Sequence, residues 1–487
     1  MKQTKIVATI SDLKCDVEFL RELYEAGINV VRINTAHSTP DGIRTIVKNV
    51  RTVSPALAVL IDTKGPEIRT MKTVTGEKIA YTAGQEVSII GDTTKLTDEQ
   101  NIYVSYENIH KDVKAGNRIL FDDGALSVVV DSVKKNVLKA TIENDGVLGS
   151  RKTVNVPNVH IDLPAVTEKD RNNLKLAVEC GVDFIAHSFV RSAEDIYAVK
   201  NILNENGADI PIISKIENQE GVDHIDEIIH VSYGIMIARG DLGIEVPAHK
   251  IPGLQMALVR KCVNAHKPAI VATQMLHTMM ENPRPTRAEV TDIANAIYNN
   301  TSAIMLSGET ASGKYPVEAV KVMATIAEQA EKDRHMFHMH APEMSEAGNL
   351  RAFFAQAAIR TTQELNVQAI LTDSGTGLTA RYLSACRGPK PVIAICYRTQ
   401  VMRQLNLSYG ITPMHIPNVK DTREMFIACV RQLHEDGQLG INDRVAYLSG
   451  TLDGAGASVL ALHKVDDVIN NKNFTLSQIR TIDDIVL

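Results

Sequence analysis

Short apolar runs alternate with amphipathic stretches along most of this chain. Eight runs rich in Val, Ile and Ala have the composition of parallel strands buried on both faces. The segments between them have helical spacing, and Thr286 and Glu289 are placed as in a helix-starting capping box. Eight strands with intervening helices predict an α/β fold built on a (β/α)8 TIM barrel. The predicted strands are residues 5–10, 29–34, 58–63, 184–189, 211–216, 234–239, 268–274 and 303–307.

The alternation stops between residues 71 and 166. Short β-like segments separated by polar turns replace it, at residues 86–90, 119–121, 127–130 and 137–142. Asp122-Asp123-Gly124 has the composition of a hairpin turn. These features predict an all-β domain inserted after the third barrel strand, between barrel parts 1–70 and 167–340. An insertion at that end of a strand lies over the mouth of a barrel and can serve as a lid.

A second alternating region follows the polar stretch of residues 335–348. Helical segments at residues 352–365, 379–386 and 400–407 are interspersed with strand-like segments at 369–372, 392–396, 444–448 and 458–465. The pattern predicts a small C-terminal α/β domain over residues 341–487.

Composition narrows the classes of function. The 52 basic and 58 acidic residues are well mixed, so no patch favours nucleic acid or anionic lipid. No apolar run is long enough to span a bilayer, and the first residues lack the apolar core of a signal peptide. The six cysteines include no CxxC pair, which favours reduced thiols in the cytoplasm over a disulfide framework or zinc site.

Two charged triplets follow consecutive buried strands. They are Lys215-Ile216-Glu217 and Arg239-Gly240-Asp241. Residues two apart on a strand face the same side, so Lys215 and Glu217 are expected to point together. Glu217 and Asp241 offer the oxygen ligands that Mg²⁺ prefers, and Lys215 places a positive charge beside that site. A buried ionic network that only joins two strands is the alternative.

Polar side chains also follow the other predicted strands. In a barrel of this type the carboxyl ends of the strands meet at the active-site face. A guanidinium there suits a phosphate, and a glycine lets backbone N–H groups approach an anion. Alternatives remain for single residues: an Arg32–Asp62 ion pair, Thr273 capping a helix that starts near Gln274, and Ser307 capping a turn. The residues are Arg32, Asn34, Asp62, Thr63, Lys64, Thr273, Ser307 and Glu309, with Gly240 and Gly308.

Nine segments carry a resemblance to the pyruvate kinase family over nearly the whole chain. They occur in the family's order and are long enough to make the resemblance specific. The segments are TKIV (4–7), NVVRIN (29–34), DTKGPEIR (62–69), DLPAVTEKD (162–170), ISKIEN (213–218), GIMIARGDLG (234–243), ATQML (272–276), PRPTRAE (283–289) and MLSGETA (305–311).

The resemblance implies transfer of the phosphoryl group of phosphoenolpyruvate to ADP, giving pyruvate and ATP in glycolysis. It implies that Glu217 and Asp241 bind Mg²⁺ or Mn²⁺, and that Lys215 and Arg32 neutralise the phosphoryl group. Substrate binding also involves Gly240, Asp241 and Thr273. Protonation of the enolate carbon is assigned to Thr273 with Ser307 and Glu309, and nucleotide binding to Asn34, His37, Arg69 and Lys169.

A monovalent cation site and an effector loop are also implied by the resemblance. K⁺ is assigned to Asn34, Asp62 and the Thr63 carbonyl, and Glu67 is the residue type of K⁺-requiring members. The loop TDSGTGLT (372–379) resembles the family's effector-phosphate loop, which places Thr372, Ser374, Thr376 and Thr379 against a sugar phosphate or nucleotide effector. Gly454-Ala455-Gly456 is a second candidate loop, and a homotetramer is the family expectation.

The chain departs from the family pattern at four places. Ser11-Asp12 replaces Gly-Pro, Ala36 replaces a K⁺-ligating Ser, Tyr233 replaces Asp, and Leu378 replaces Arg. Two other functions would use many of the same site residues. One is an Mg²⁺-dependent lyase or aldolase acting through a pyruvate enolate. The other is a catalytically silent, effector-binding relative.

Overall fold

The strands form four sheets in the computed structural model, which describes residues 2–334, 349–417, 419–450 and 457–470. In chain order the strands are β1 (Lys5–Thr9), β2 (Val30–Asn34), β3 (Ala58–Asp62), β4 (Ile68–Arg69), β5 (Ile79–Tyr81), β6 (Glu86–Gly91), β7 (Asn101–Val104), β8 (Arg118–Phe121), β9 (Leu126–Lys134), β10 (Val137–Ile142), β11 (Gly146–Leu148), β12 (Thr153–Asn155), β13 (Phe184–His187), β14 (Ile212–Ile216), β15 (Gly234–Ala238), β16 (Ala269–Ala272), β17 (Ala303–Leu306), β18 (Val367–Ser374), β19 (Val392–Cys396), β20 (Ile411–Met414), β21 (Arg444–Gly450) and β22 (Ala457–Lys464).

Helices connect the strands of the barrel and of the C-terminal sheet. Some of them begin at side-chain caps: Asp16 caps α1, and Thr286 with Glu289 forms the predicted capping box of α10. Among the described residues, no helix has both the length and the apolar composition that crossing a membrane requires. The helices are α1 (Val17–Ala26), α2 (Pro40–Val53), α3 (Ile109–Asp112), α4 (Glu168–Cys180), α5 (Ala193–Glu205), α6 (Gln219–Asp223), α7 (Ile225–Val231), α8 (Arg239–Glu245), α9 (Ile251–Asn264), α10 (Arg287–Tyr298), α11 (Gly308–Ala311), α12 (Pro316–Asp333), α13 (Leu350–Glu364), α14 (Leu378–Ala385), α15 (Thr399–Leu405), α16 (Thr422–Glu435) and α17 (Val465–Ile469), with 3-10 turns at Ala248–Lys250 and His277–Met280.

Eight parallel strands close into the predicted barrel. Their order around it is β1-β17-β16-β15-β14-β13-β3-β2. Side chains of every second residue point inward and fill the interior with apolar groups such as Val7, Leu60, Phe184 and Met236. Leu407 of the C-terminal domain is buried in the same interior cluster. The barrel is therefore a packed core, and its site is confined to the end at which the strands finish.

The predicted lid is a separate β domain inserted between β3 and β13. Its main sheet has the order β4-β12-β8-β9-β10-β6-β7, and β5 pairs with β11. Asp122, Asp123 and Gly124 all have positive φ and form the expected turn between antiparallel β8 and β9. The first strand of this sheet, β4, lies before residue 71, where the domain was expected to begin.

The C-terminal domain contains the expected α/β sheet. Its order is β20-β19-β18-β21-β22, with only β22 antiparallel to its neighbour. The domain packs against the end of the barrel where the strands begin: Lys5 Nζ donates to the Ile411 carbonyl at 2.6 Å. Arg403 pairs with the buried Asp183 at 2.6 Å. The lid and the C-terminal domain therefore lie at opposite ends of the barrel.

Candidate active site

Lys215 lies at the centre of a buried polar cluster at the carboxyl ends of the barrel strands. Ile213, Lys215 and Glu217 share one face of β14 and its extension, as the period of two predicts. Lys215 Nζ lies 3.0 Å from Glu217 Oε1, 3.1 Å from Asp62 Oδ1 and 2.7 Å from Ser188 Oγ. Lys215 is 9% exposed. The ammonium group is thus fixed at the mouth of the barrel by three acceptors.

Asp62 joins Lys215 to Arg32. Arg32 Nε lies 2.6 Å from Asp62 Oδ2, and Arg32 Nη1 donates to Thr9 Oγ1 at 2.9 Å. The Arg32–Asp62 ion pair that the sequence left as an alternative is therefore present, inside the predicted site. Burial raises the pKa of Asp62, but the charges of Arg32 and Lys215 outweigh it and the net shift is downward. The cluster keeps Asp62 ionised between two cations.

Glu217 and Asp241 are the two carboxylates expected to hold a divalent cation. Burial, opposed by Lys215 and reinforced by Asp241, raises the pKa of Glu217 to about 7. Burial also raises the pKa of Asp241, and the Asp241 carboxylate has no hydrogen bond or ion pair within the described part of the chain. Glu217 is buried and Asp241 is half-buried, and the charge of Asp241 adds to the raised pKa of Glu217, so the two form a donor set that Mg²⁺ would stabilise. The described residues contain no group of three or more His, Cys, Asp and Glu arranged for a metal.

Thr273 is held in an unusual backbone conformation after β16. Its φ is +69°, in the left-handed region that branched residues rarely adopt. Its hydroxyl donates to the Ala272 carbonyl at 2.6 Å and accepts from the Gly240 N–H at 2.9 Å. Thr273 does not cap a helix, because the next helical turn begins at His277. The Gly240 N–H therefore already donates a hydrogen bond within the protein, to the Thr273 hydroxyl.

Glu309 and Ser307 brace the end of β17. Glu309 is buried, and its two oxygens accept from the Leu276 N–H at 3.1 Å and the Ser307 N–H at 2.7 Å. Ser307 precedes α11 without a capping hydrogen bond from its side chain. A Cβ at Gly308 would lie 2.8 Å from Met280 Sδ, a contact that the flexible methionine side chain can relieve by moving. Glu309 therefore holds the loops after β16 and β17 together.

The residues expected around K⁺ converge after β2 and β3. Asn34 Oδ1 accepts from the Ala36 N–H at 3.0 Å, and the Thr63 carbonyl accepts from Ser188 Oγ at 2.6 Å. Lys169 Nζ lies 3.3 Å from the Ala36 carbonyl, beside the exposed His37. The structure thus brings together Asn34, Asp62 and Thr63, with Lys169 and His37 at their edge.

Arg69 lies on the lid side of the same mouth. It makes two 2.8 Å contacts with Glu67, which also pairs with Lys64 at 2.9 Å. A groove of about 540 Å³ contains Lys64, Arg69 and further basic side chains. A second cavity, of about 320 Å³, lies between the lid and the barrel and is lined by residues including Glu67, Asn155, Phe189, Asp241 and Glu245.

The candidate effector residues lie on β18, on the loop after it and on α14. Thr372 is buried in β18, with its hydroxyl 3.4 Å from the Asp373 carbonyl. Ser374 Oγ accepts from the Gly377 N–H at 2.9 Å, while Thr376 is exposed and Thr379 lies in the first turn of α14. Thr372 and Ser374 are both buried in β18, and Thr376 is the exposed member of the set. The second candidate loop, Gly454-Ala455-Gly456, lies outside the described residues.

The four departures from the family pattern are accommodated locally. Asp12 accepts from the Thr39 N–H and hydroxyl at 3.0 Å each, and Ser11 Oγ donates to the Ala311 carbonyl at 3.0 Å. The ring of Tyr233 lies 4.9 Å below the Arg381 guanidinium. Ala36 contributes its carbonyl to Lys169, as described above. Leu378 begins α14.

Sequence reasoning missed Ser188, Phe189 and Thr9. Ser188 Oγ contacts Lys215, and the Phe189 N–H donates to Glu217 Oε2 at 2.7 Å. Thr9 orients Arg32. The signal was present, because residues 184–189 formed a predicted barrel strand to which no site residue had been assigned. The rule that strand ends carry the site applied to Ser188 as well.

Comparisons with known proteins agree with this architecture. The family described as "Pyruvate kinase, barrel domain" matches residues 1–320, and "Pyruvate kinase, alpha/beta domain" matches residues 353–461. A pyruvate kinase of Borreliella burgdorferi is 43% identical over 477 residues, covering 97% of this chain and 99% of that protein. One from Bacillus licheniformis is 41% identical over 478 residues, covering 96% of this chain and 81% of that protein.

A solved structure has the same arrangement of domains. The crystal structure of a pyruvate kinase from Cryptosporidium parvum matches with a TM-score of 0.89 and 32% identity. The match covers 95% of this chain and 96% of that one. On these matches of sequence and structure, the chain belongs to the pyruvate kinase family.

Proposed function

We propose that the cluster around Lys215 carries out the family's reaction in this chain, phosphoryl transfer from phosphoenolpyruvate to ADP. Membership makes the chain a phosphotransferase of glycolysis with these two substrates. The observation that supports the assignment to this cluster is the contact set of Lys215, with two carboxylates and a hydroxyl within 3.1 Å. The lyase, aldolase and silent-relative alternatives are not favoured by the relatives.

Lys215 and Arg32 supply the positive charge that the transfer requires. The bond between the phosphorus and the enol oxygen breaks as an oxygen of the ADP β-phosphate bonds to the phosphorus. Charge spreads over the phosphoryl oxygens and develops on the enolate, so fixed cations lower the barrier. Arg32 presents a guanidinium suited to two phosphoryl oxygens, and Lys215 presents an ammonium group to the enolate side.

Glu217 and Asp241 would hold Mg²⁺ or Mn²⁺. A divalent cation bound there would neutralise charge on the substrate and act as a Lewis acid toward its oxygens. The carboxylates fit this role because Glu217 is buried and Asp241 is half-buried, burial raises the pKa of each, and the Asp241 carboxylate has no hydrogen-bond or ion-pair partner in the described chain. Their own contribution is to fix where that charge sits relative to Lys215.

The enolate carbon must receive a proton after transfer. Thr273 lies at the end of β16 with its hydroxyl oriented by Ala272 and Gly240. We assign Thr273 to the end of the proton path that meets the substrate. Glu309, whose carboxylate accepts two backbone N–H groups, contributes by holding the loop after β16 rather than by transferring the proton, and Ser307 lies beside it.

The proposal that K⁺ activates the enzyme rests on Glu67 and on the oxygens of Asn34, Asp62 and Thr63. Glu67 is ionised, because the hydrogen bonds from Arg69 and Lys64 outweigh burial and lower its pKa. A Glu67→Lys variant should be active without K⁺. The parent chain should be more active with K⁺ than with a bulky organic cation in its place. Equal activity of the parent with both cations would reject this part of the proposal.

The nucleotide is assigned to the side bearing His37, Lys169 and Arg69. The basic groove around Arg69 offers charge to polyphosphate, and Asn34 and Lys169 close the barrel side. A homotetramer and an effector at the loop of Ser374, Thr376 and Thr379 remain proposals taken from the family. Thr372 is fully buried in β18, whereas Thr376 is exposed.

ATP formation from phosphoenolpyruvate and ADP with Mg²⁺ tests the central assignment. Lys215→Met should lower kcat by ~1000-fold or more, since it removes the cation at the reacting oxygen. The matched control is Lys48→Met, on the exposed face of α2, which should leave kcat unchanged. A Lys215→Met enzyme with near-normal turnover would show that this cluster does not carry the reaction.

A further inference from the structure

We propose that the turn Ser188-Phe189 positions both chemical groups of strand β14, Lys215 through the Ser188 hydroxyl and Glu217 through the Phe189 N–H. The proposal rests on the function assigned above to Lys215. Phe184, Ala186 and Ser188 share the inward face of β13 and its extension, so the Ser188 hydroxyl is delivered to the barrel mouth. Ser188 is 2% exposed.

The Ser188 hydroxyl connects Lys215 to rigid backbone. Its oxygen lies 2.6 Å from the Thr63 carbonyl and 2.7 Å from Lys215 Nζ. A hydroxyl has one hydrogen, so donation to Thr63 leaves its lone pairs for the lysine. The ammonium group has three hydrogens, and Asp62, Glu217 and Ser188 accept one each. Ser188 is the neutral member of the three, so it fixes the direction of the ammonium group without adding negative charge.

Phe189 holds Glu217, the second charged residue of β14 and its extension. Its φ of +54° places a bulky residue in the left-handed region, where strain is expected. That conformation directs its N–H to Glu217 Oε2 at 2.7 Å. Consecutive residues of one strand end therefore fix an ammonium and a carboxylate that lie two residues apart on the next strand.

The loop after β3 clamps the turn from the opposite side. The Ser188 N–H donates to Thr63 Oγ1 at 3.1 Å. At Gly65, a Cβ would lie 2.7 Å from Ser188 Cβ and 2.8 Å from Phe189 Cδ2. The absence of a side chain at Gly65 lets the two loops meet. The turn is thus held by contacts independent of Lys215, as a positioning element must be.

A matched serine separates positioning from ordinary packing. Ser214 is as buried as Ser188 and precedes Lys215 directly, but its hydroxyl bonds to Ser232 Oγ at 2.7 Å on the opposite face of β14. Ser188→Ala and Ser214→Ala therefore remove the same atom from the same barrel. Only the first removes an acceptor from Lys215.

The experiment measures kcat, the KM for phosphoenolpyruvate and Mn²⁺ affinity for both variants, with thermal unfolding as a check on the fold. Ser188→Ala is expected to lower kcat ~10- to 100-fold, as for loss of one oriented contact in the transition state. Its KM and Mn²⁺ affinity should stay within about twofold, since Phe189 still holds Glu217. Ser188→Cys, with similar volume and a weak sulfur acceptor, should fall between Ser188→Ala and the parent, and it serves if the alanine variant does not fold.

The outcomes separate this proposal from the assignment of Lys215. Normal kcat in Ser188→Ala, or a loss no larger than that of Ser214→Ala, would overturn the positioning role while Lys215→Met still shows its loss. Full turnover by Lys215→Met would instead reject the function of the cluster.

Discussion

Lys215 Nζ lies 3.1 Å from Asp62 Oδ1, although 153 residues separate the two in sequence. Asp62 is fully buried, and its second oxygen bonds to Arg32. One carboxylate therefore contacts both cations that the reaction requires at the barrel mouth. Without substrate, Asp62 and Glu217 together compensate the charges of Lys215 and Arg32.

Removing the charge of Asp62 should harm both folding and turnover. In Asp62→Asn, two buried cations lose a partner, and breaking a buried ion pair destabilises a protein by about 3–5 kcal/mol. Urea unfolding measures that loss, and kcat should fall with it because Lys215 and Arg32 lose their common anchor. Asp209→Asn, at an exposed position, is the control. Unfolding free energies equal for the two variants would contradict this account of Asp62.

Asp241→Asn should affect the metal without harming the fold. Asp241 is half-buried, its carboxylate has no hydrogen-bond or ion-pair partner in the described chain, and burial raises its pKa, so its charge destabilises the metal-free protein. The Mg²⁺ concentration for half-maximal activity should rise at least ~10-fold, while the unfolding free energy without metal stays equal or increases. Glu245→Gln, on the same helix and lining the same cavity, should leave the Mg²⁺ requirement unchanged. A less stable Asp241→Asn protein would argue that the carboxylate has a structural partner.

The barrel and most of the site could be predicted because both depend on local pattern. Buried parallel strands read as apolar runs, and the polar residues that end them converge by the geometry of the barrel. Arg32, Asp62, Lys215, Glu217 and Asp241 were located in this way. Pattern could not show that Arg32 and Lys215 share Asp62, because that contact depends on three-dimensional register.

Other parts of the site depend on backbone conformation, which residue type does not reveal. Glu309 is an ionisable residue at a strand end, yet its oxygens bond to backbone N–H groups of two loops. Phe189 gives no hint of its positive φ, since bulky residues rarely adopt it. The same limit applies to Thr372, whose hydroxyl was expected to face an effector but is buried within β18.

Gly65→Ala should disrupt the site by displacing the Ser188-Phe189 turn. The φ of Gly65 is +71°, and the added Cβ would lie within 2.8 Å of both Ser188 and Phe189. The strained backbone alone costs about 1 kcal/mol, and the clash adds to it by displacing the turn that holds Lys215 and Glu217. Thermal unfolding should shift downward and kcat should fall. Gly76→Ala also has a positive φ but no atom within 4 Å of the new Cβ, so it should lose stability without losing kcat. Equal kcat in the two variants would contradict the clamp described for Gly65.

His187 should make the fold sensitive to acid. It is buried beside Thr63, and burial lowers its pKa from 6.5 to about 4, with Asp195 and Asp170 opposing the shift and Lys215 adding to it. The folded state therefore keeps His187 neutral where the unfolded chain binds a proton. Its contribution to stability is complete above pH 6.5 and is lost as the pH falls through 4, amounting to about 3 kcal/mol.

Urea unfolding of the parent and His187→Gln at pH 7, 5.5 and 4 measures this loss of stability. Between pH 7 and pH 4, the free energy of unfolding should fall by that amount more in the parent than in His187→Gln. His249→Gln, at an exposed position, should lose as much as the parent. Parallel curves for parent and His187→Gln would show that His187 titrates normally in the folded protein.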